Sequence, residues 1–94
     1  MLAKRVLYRK YAGYLYIINL NTSKSYVFEG IAEDLIDFLA DAENICIENL
    51  ITHIESEYEI EDPEQMRTEV KDFVMTLQKE GILEVGISEK NSLN

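Results

Sequence analysis

The sequence has 94 residues, 47% of them hydrophobic and 10% aromatic, which is the composition of a folded domain. A chain this short forms a single domain with one modest core, so it has room for a peptide groove but little for a deep substrate pocket with its own lid. The formal net charge of −9 opposes nucleic-acid binding, and no segment is apolar for long enough to span a membrane. We therefore expect a cytoplasmic protein that binds neither nucleic acid nor membrane.

The charges are unevenly distributed along the chain. All 18 carboxylates lie at Glu29 or later, whereas five of the nine basic residues lie within the first 24 residues. The N-terminal quarter is therefore basic and the remainder strongly acidic. Most acidic side chains in such a pattern only solvate the exposed faces of helices.

The first 30 residues have the pattern of β-strands. An apolar run at residues 5–8 and an aromatic and β-branched run at residues 14–20 predict two strands, with Gly13 in the turn between them. Residues 21–24 have turn chemistry, and residues 25–28 alternate as a third strand. We predict a small antiparallel meander.

The predicted second strand is apolar on both faces. One face carries Tyr14, Tyr16, Ile18 and Leu20, and the other carries Leu15 and Ile17. A sheet with one wet face normally alternates apolar and polar residues. Either the tyrosine hydroxyls face water while their rings cover neighbouring residues, or a dimer mate or a partner enzyme covers this second face.

From Gly30 onward the hydrophobic period becomes helical. Apolar residues between positions 31 and 39 outline a first helix, and the polar stretch 41–44 closes it. Apolar residues from Ile47 to Tyr58 then recur at the spacing of an amphipathic second helix.

A third helix has the clearest start signal in the chain. Asp62 occupies the N-cap, Pro63 the first helical position, and Gln65 completes a capping-box pattern. Gly81 is a natural C-terminal cap. Residues 82–85 are expected to add a short strand or to pack back on the sheet. We predict one domain over residues 1–87 and a frayed tail over residues 88–94.

The sequence offers no catalytic constellation and no conventional metal site. His53 is the only histidine and Cys46 the only cysteine, so neither a zinc site nor an internal disulfide is expected. His53 lies one turn before Glu57 and would pair most simply with that carboxylate. The four glycines are too scattered for a phosphate-binding loop. We expect a binding module without cofactor or metal rather than an enzyme.

Several short motifs occur in a defined order over residues 13–84. Those of the strands are Gly13-Tyr14-Leu15, Ile18-Asn19-Leu20, Thr22-Ser23-Lys24 and Tyr26-Val27-Phe28. Those of the third helix and its exit are Glu69-Val70-Lys71-Asp72-Phe73-Val74-Met75-Thr76-Leu77 and Glu80-Gly81-Ile82-Leu83. Together they resemble the PqqD-like family, the stand-alone form of the RiPP recognition element. The expected fold is α+β, a three-stranded antiparallel sheet followed by three helices, winged-helix-like.

The resemblance implies a non-catalytic carrier that binds the leader of a ribosomally made precursor peptide and presents it to a maturation enzyme, in the first place a radical SAM enzyme. The leader would add as a strand along residues 24–29, in the groove against the third helix. The implied peptide-binding residues are Lys24, Ser25, Tyr26, Val27, Phe28 and Glu29 on the strand, and Met66, Arg67, Val70, Lys71, Phe73, Val74 and Leu77 on the helix. Most of this apolar stripe must also hold the core, and for Val70, Phe73 and Leu77 we favour the core over the groove.

Arg67 and Lys71 form the only basic pair one turn apart in the helical half. They would either meet an acidic residue of the leader or form solvated ion pairs with Asp62, Glu64 or Asp72.

Two other classes of protein stay open. A winged-helix DNA-binding regulator would have similar helices, but it needs a basic recognition helix, and the third helix carries three basic against four acidic residues. A small enzyme would need a nucleophile or a metal site. A homodimer formed through the second strand is compatible with peptide binding.

Overall fold

A computed structural model describes residues 1–42, 44–84 and 87–88 of the chain. The strands of the sheet come first and are β1 (Val6–Tyr11), β2 (Tyr14–Asn19) and β3 (Lys24–Phe28). The helices that follow are α1 (Ile31–Ala40), α2 (Ile47–Glu57) and α3 (Pro63–Lys79). Two short strands, β4 (Ile45–Cys46) and β5 (Ile87–Ser88), pair in parallel. The α+β architecture expected from the sequence is confirmed, with three antiparallel strands followed by three helices.

The main sheet has the order β1-β2-β3, so β3 is an edge strand. Tyr11 pairs with Tyr14, which leaves Ala12 and Gly13 as a two-residue hairpin loop. Their φ angles are 56° and 85°, and a positive φ at both central positions is typical of the turn that matches the twist of the strands. Gly13 adopts this conformation without cost, whereas Ala12 does so against a steric penalty.

The inner face of the sheet packs on the helices. Leu15 and Ile17 have no exposed surface, and Asn19 continues the same face at 1% exposure. Because paired residues of antiparallel strands share a face, Phe28 lies beside Leu15, and Tyr26 beside Ile17. Most of the rest of the core comes from the apolar stripes of the three helices, as their periodicity predicted.

The outer face of the sheet is exposed and largely apolar. Tyr14 and Tyr16 are 39% and 41% exposed, with ring centroids 6.4 Å apart. Ile18, Leu7 and Val27 on the same face are also exposed. In the isolated chain the tyrosines therefore face solvent, and cover of this face by a dimer mate or an enzyme stays a prediction.

Helix α3 begins and ends with defined caps. The Asp62 carboxylate accepts the Gln65 backbone N–H at 3.1 Å, which confirms the predicted N-cap. The reciprocal half of the predicted capping box is not formed, because the Gln65 side chain donates to Glu69 instead. At the other end Gly81 has φ 77°, and the N–H groups of Gly81 and Ile82 return to the Gln78 and Leu77 carbonyls, a Schellman motif.

The Schellman motif turns the chain back under the sheet. Ile82 and Leu83 are buried at 1% and 4% exposure, and Leu83 forms a bridge with Leu2. This segment thus pairs with residues 1–3, which precede β1, and adds no strand to the three-stranded sheet. Of the tail expected to fray, Ser88 ends β5, and residues 89–94 lie outside the described residues, as does Val85.

His53 on α2 pairs with Asp34 on α1 at 3.2 Å, and Asp34 also accepts the Tyr58 hydroxyl at 3.2 Å. The expected pairing with Glu57 is therefore wrong, because the packing of α1 against α2 brings Asp34 closer to the ring. No helix in the described part of the chain is long and apolar enough to cross a membrane.

Candidate peptide-binding groove

A groove of about 350 Å³ runs between the edge strand β3 and helix α3. The side chains that line it are Tyr26, Phe28, Glu69, Asp72, Phe73, Thr76, Leu77, Glu80 and Ile82. Tyr26 and Phe28 come from β3, because every second residue of that strand points toward the helices. Helical periodicity supplies the wall on α3, at positions separated by three, four and seven residues.

Aromatic rings form one end of the groove. Phe28 and Phe73 meet edge to face, with centroids 5.9 Å apart, and Tyr26 stacks on Phe28 at 6.3 Å. Beneath them lie Leu77 and Ile82, which are almost completely buried. Phe73 is only half-buried, so its ring serves both the core and the groove.

The other end of the groove is polar and internally paired. The Tyr26 hydroxyl donates to Glu80 Oε1 at 2.8 Å, and Lys24 Nζ lies 3.6 Å from the same oxygen. The Tyr26 hydrogen bond and then the Lys24 charge lower the pKa of Glu80 below its usual range, and the same hydrogen bond raises the pKa of Tyr26.

The buried side chain of Asn19 connects this end of the groove to the sheet. Its side-chain amide donates to the Glu80 backbone carbonyl at 3.0 Å, and its Oδ1 accepts the Asn21 N–H at 2.9 Å. The last residue of β2 is thereby tied to the C-terminus of α3. This link connects the inner face of the sheet directly to the C-terminal end of the α3 wall.

A second cavity of about 250 Å³ adjoins the groove and shares Phe73 and Glu69 with it. Its other lining residues are Ile31, Ala32, Leu35, Ile54, Met66 and Val70. The Phe73 ring therefore separates two apolar cavities that lie in series along α3.

The outer edge of β3 is open. Within the described part of the chain β3 pairs only with β2, so its remaining N–H and C=O groups face outward, beside the groove. An edge strand next to an apolar groove is suited to receive an extended peptide, because the backbone supplies hydrogen bonds and the groove takes alternate side chains.

The structure distributes the predicted site residues over several environments. Tyr26, Phe28, Phe73 and Leu77 line the groove, whereas Met66 and Val70 line the adjoining cavity. Lys24 reaches the polar end through Glu80. Ser25, Val27 and Glu29 are exposed, and Val74 has no exposed surface and belongs to the core alone.

The two basic residues of the predicted helix wall lie away from the groove. Arg67 forms an ion pair with Glu48 on α2, and among the described residues it forms none with Asp62, Glu64 or Asp72. Lys71 lines neither of the two cavities.

Five lining residues were not predicted from the sequence: Glu69, Asp72, Thr76, Glu80 and Ile82. Their signal is their spacing from Phe73 and Leu77, which places three of them on one side of α3 and Glu80 at its C-cap.

A comparison with known protein families shows which family this chain belongs to. A family model described as "Coenzyme PQQ synthesis protein D (PqqD)" matches residues 15–83, which is most of the chain. The chain belongs to the PqqD family. The match includes β2 from its second residue, β3 and all three helices, and hence every element that forms the groove.

Two solved structures share the PqqD fold of this chain. "TbiB1 in Complex with the TbiA(beta) Leader Peptide" has a TM-score of 0.76 at 17% identity, covering 88% of this chain and 93% of that one. "Lasso peptide synthetase B1 complexed with the leader peptide" has a TM-score of 0.72 at 13% identity, covering 87% and 93%. At these identities the likeness is one of fold. No curated protein gives a significant match.

Proposed function

We propose that this PqqD-family protein binds the leader of a ribosomally made precursor peptide by adding it as a strand to the open edge of β3. The observation that carries the proposal is the open edge itself, because it runs beside an apolar groove of about 350 Å³. The two structural neighbours are both described as complexes with leader peptides, which supports the same ligand class here.

The bound leader is presented to a separate maturation enzyme, a radical SAM enzyme in the first place, and this chain contributes no catalytic step. Support comes from the lining of the groove, which is mostly apolar and contains neither the single histidine nor the single cysteine. A cytoplasmic site of action follows from that role. Genes for a short peptide and a radical SAM enzyme beside this one would support the assignment of the partner.

A winged-helix DNA-binding regulator is disfavoured by charge. Helix α3, the candidate recognition helix, presents Glu69 and Asp72 beside the groove, and its Arg67 is paired with Glu48. Phosphate contacts need a basic surface, and this one repels a polyanion.

Selection of peptide ligands from a random dodecapeptide library tests the proposal. The best peptide is then titrated into ¹⁵N-labelled protein, and we expect the largest amide shifts at residues 24–28 and around Phe73. N-methylation of each peptide residue in turn should weaken binding at every second position, because alternate N–H groups of an added strand bond to β3. The proposal is wrong if no peptide is selected, if the shifts map to β1, or if N-methylation shows no period of two.

A further inference from the structure

We infer that the peptide segment bound in the groove is basic: an apolar side chain contacts Phe28 and Phe73, and a Lys or Arg two residues away along the peptide faces Glu69 and Asp72. The inference rests on the proposed function and defines the ligand chemistry of that same site. It is the opposite of one of the two alternatives that the sequence left open, in which Arg67 and Lys71 meet an acidic residue of the leader.

The charged side chains that line the groove are all acidic in the described part of the chain. They are Glu69, Asp72 and Glu80, and no described Lys or Arg lines this groove or the adjoining cavity; Lys24 reaches the polar end only through its ion pair with Glu80. An extended peptide seated there brings its inward-facing side chains directly against these carboxylates. Placing an Asp or Glu at such a position would add a like charge to a partly desolvated site.

The three carboxylates differ in how far they are already compensated. Glu80 has Lys24 and the Tyr26 hydroxyl at its Oε1. Among the described residues, Glu69 forms no ion pair and receives a neutral amide hydrogen bond from the Gln65 side chain at 3.1 Å. Asp72 is exposed and takes part in none of the ion pairs of the described residues. The uncompensated negative charge therefore lies at the aromatic end of the groove.

The relative direction of β3 and α3 fixes where a peptide cation would sit. Tyr26 contacts Glu80, and Phe28 contacts Phe73, so the strand and the helix run in opposite directions. Glu69 and Asp72 are about 4.5 Å apart along the helix axis, because each residue rises about 1.5 Å.

Successive inward side chains of an added strand are about 6.6 Å apart. A peptide residue placed over Phe28 and Phe73 therefore has its next inward neighbour within the reach of a Lys or Arg side chain from Glu69 or Asp72. The aliphatic stem of that side chain can lie along the Phe73 ring while its charged head meets the carboxylates.

Arg67 and Lys71 do not change this balance. Arg67 is held by Glu48 on the far side of α3, against α2, and Lys71 lines neither cavity. The chain's overall charge of −9 adds a long-range attraction for a basic peptide, which raises the association rate at low salt.

The sequences selected from the random dodecapeptide library test the inference directly. We expect Lys or Arg to be enriched two residues from an apolar anchor, and Asp and Glu to be depleted there. Replacing that Lys by Glu in a selected peptide should weaken binding on the order of tenfold at low salt. Selected peptides that are acidic or show no charge bias overturn this inference and leave strand addition standing. A library that yields no ligand overturns the proposed function and this inference with it.

Charge reversal in the protein separates local recognition from overall attraction. The variant Glu69→Lys/Asp72→Lys should reverse the preference between the Lys and Glu forms of the peptide. The control Glu59→Lys/Glu61→Lys has the same change in net charge at exposed positions that do not line the groove. It should leave the preference unchanged.

The milder variant Glu69→Gln/Asp72→Asn keeps the side-chain shapes and should abolish the preference without affecting the fold. Equal effects of the groove variant and of the control would show that only net charge matters, and this would overturn the inference.

Discussion

The buried amide of Asn19 provides a sensitive test of how the groove is built. Asn19 is 1% exposed, donates to the Glu80 carbonyl at 3.0 Å, and accepts the Asn21 N–H at 2.9 Å. The substitution Asn19→Asp keeps the shape and the acceptor but places a carboxylate oxygen against the Glu80 carbonyl. Unless that carboxylate takes up a proton, it is a buried charge facing a partial negative charge.

The cost of Asn19→Asp should depend on pH. Burial raises the pKa of a carboxyl group by about 2 to 3 units at such a site, and each unit corresponds to about 1.4 kcal/mol. Because the folded-state pKa is raised, the cost is small below the ordinary Asp value of about 3.9 and grows as pH rises toward the folded-state value. We expect a loss of about 3 to 4 kcal/mol at pH 7 and about 1.5 kcal/mol at pH 5. Asn19→Ala should cost about 1 to 3 kcal/mol at either pH, because it introduces no titrating group.

Urea unfolding of each variant against the parent at both pH values measures these differences. Asn21→Asp is the matched control, since Asn21 makes a similar side-chain hydrogen bond, to the Lys4 carbonyl at 2.9 Å, but at an exposed position. Its cost should stay below about 1 kcal/mol at both pH values. An Asn19→Asp cost that is equal at pH 5 and pH 7, or no larger than that of Asn21→Asp, would refute the reasoning.

Three further predictions follow from the groove and the first hairpin. Phe73→Ala should weaken binding of a selected peptide by tenfold or more in a fluorescence titration, because Phe73 lines the groove. Phe38→Ala should leave the binding unchanged, because the Phe38 ring packs on α2 outside the groove. Tyr26→Phe should raise the pKa of Glu80 in a carboxyl NMR titration. Because the folded-state pKa of Glu80 is lowered, this carboxylate stabilises the fold at pH values above its ordinary pKa of 4.5. The difference in free energy of unfolding between the parent and Tyr26→Phe should therefore shrink as pH falls below 4.5. A difference that does not change with pH would contradict the hydrogen bond between Tyr26 and Glu80. Ala12→Asn should raise the free energy of unfolding by about 0.5 to 1 kcal/mol in urea, because Asn tolerates a positive φ better than Ala; a loss of stability would show that the loop is not strained.

The sequence by itself determined the order and type of the elements. Its hydrophobic period changes from two to 3.6 near Gly30, where the sheet gives way to the helices. Local chemistry also fixed the ends of α3, because Asp62 and Gly81 act on backbone groups within a few residues of themselves. The period of two in β2 likewise placed Leu15 and Ile17 together on one face, while the packing of the helices decided that this face is the buried one.

Only the tertiary structure decided which charges line the groove. The sequence shows that Arg67, Asp72 and Glu69 lie on the same helix, but the rotation of α3 against the sheet turns the two carboxylates toward β3 and Arg67 toward Glu48. That rotation depends on the packing of many buried side chains at once, so no local pattern specifies it. The burial of Asn19 has the same origin, because its partner Glu80 is 61 residues away along the chain.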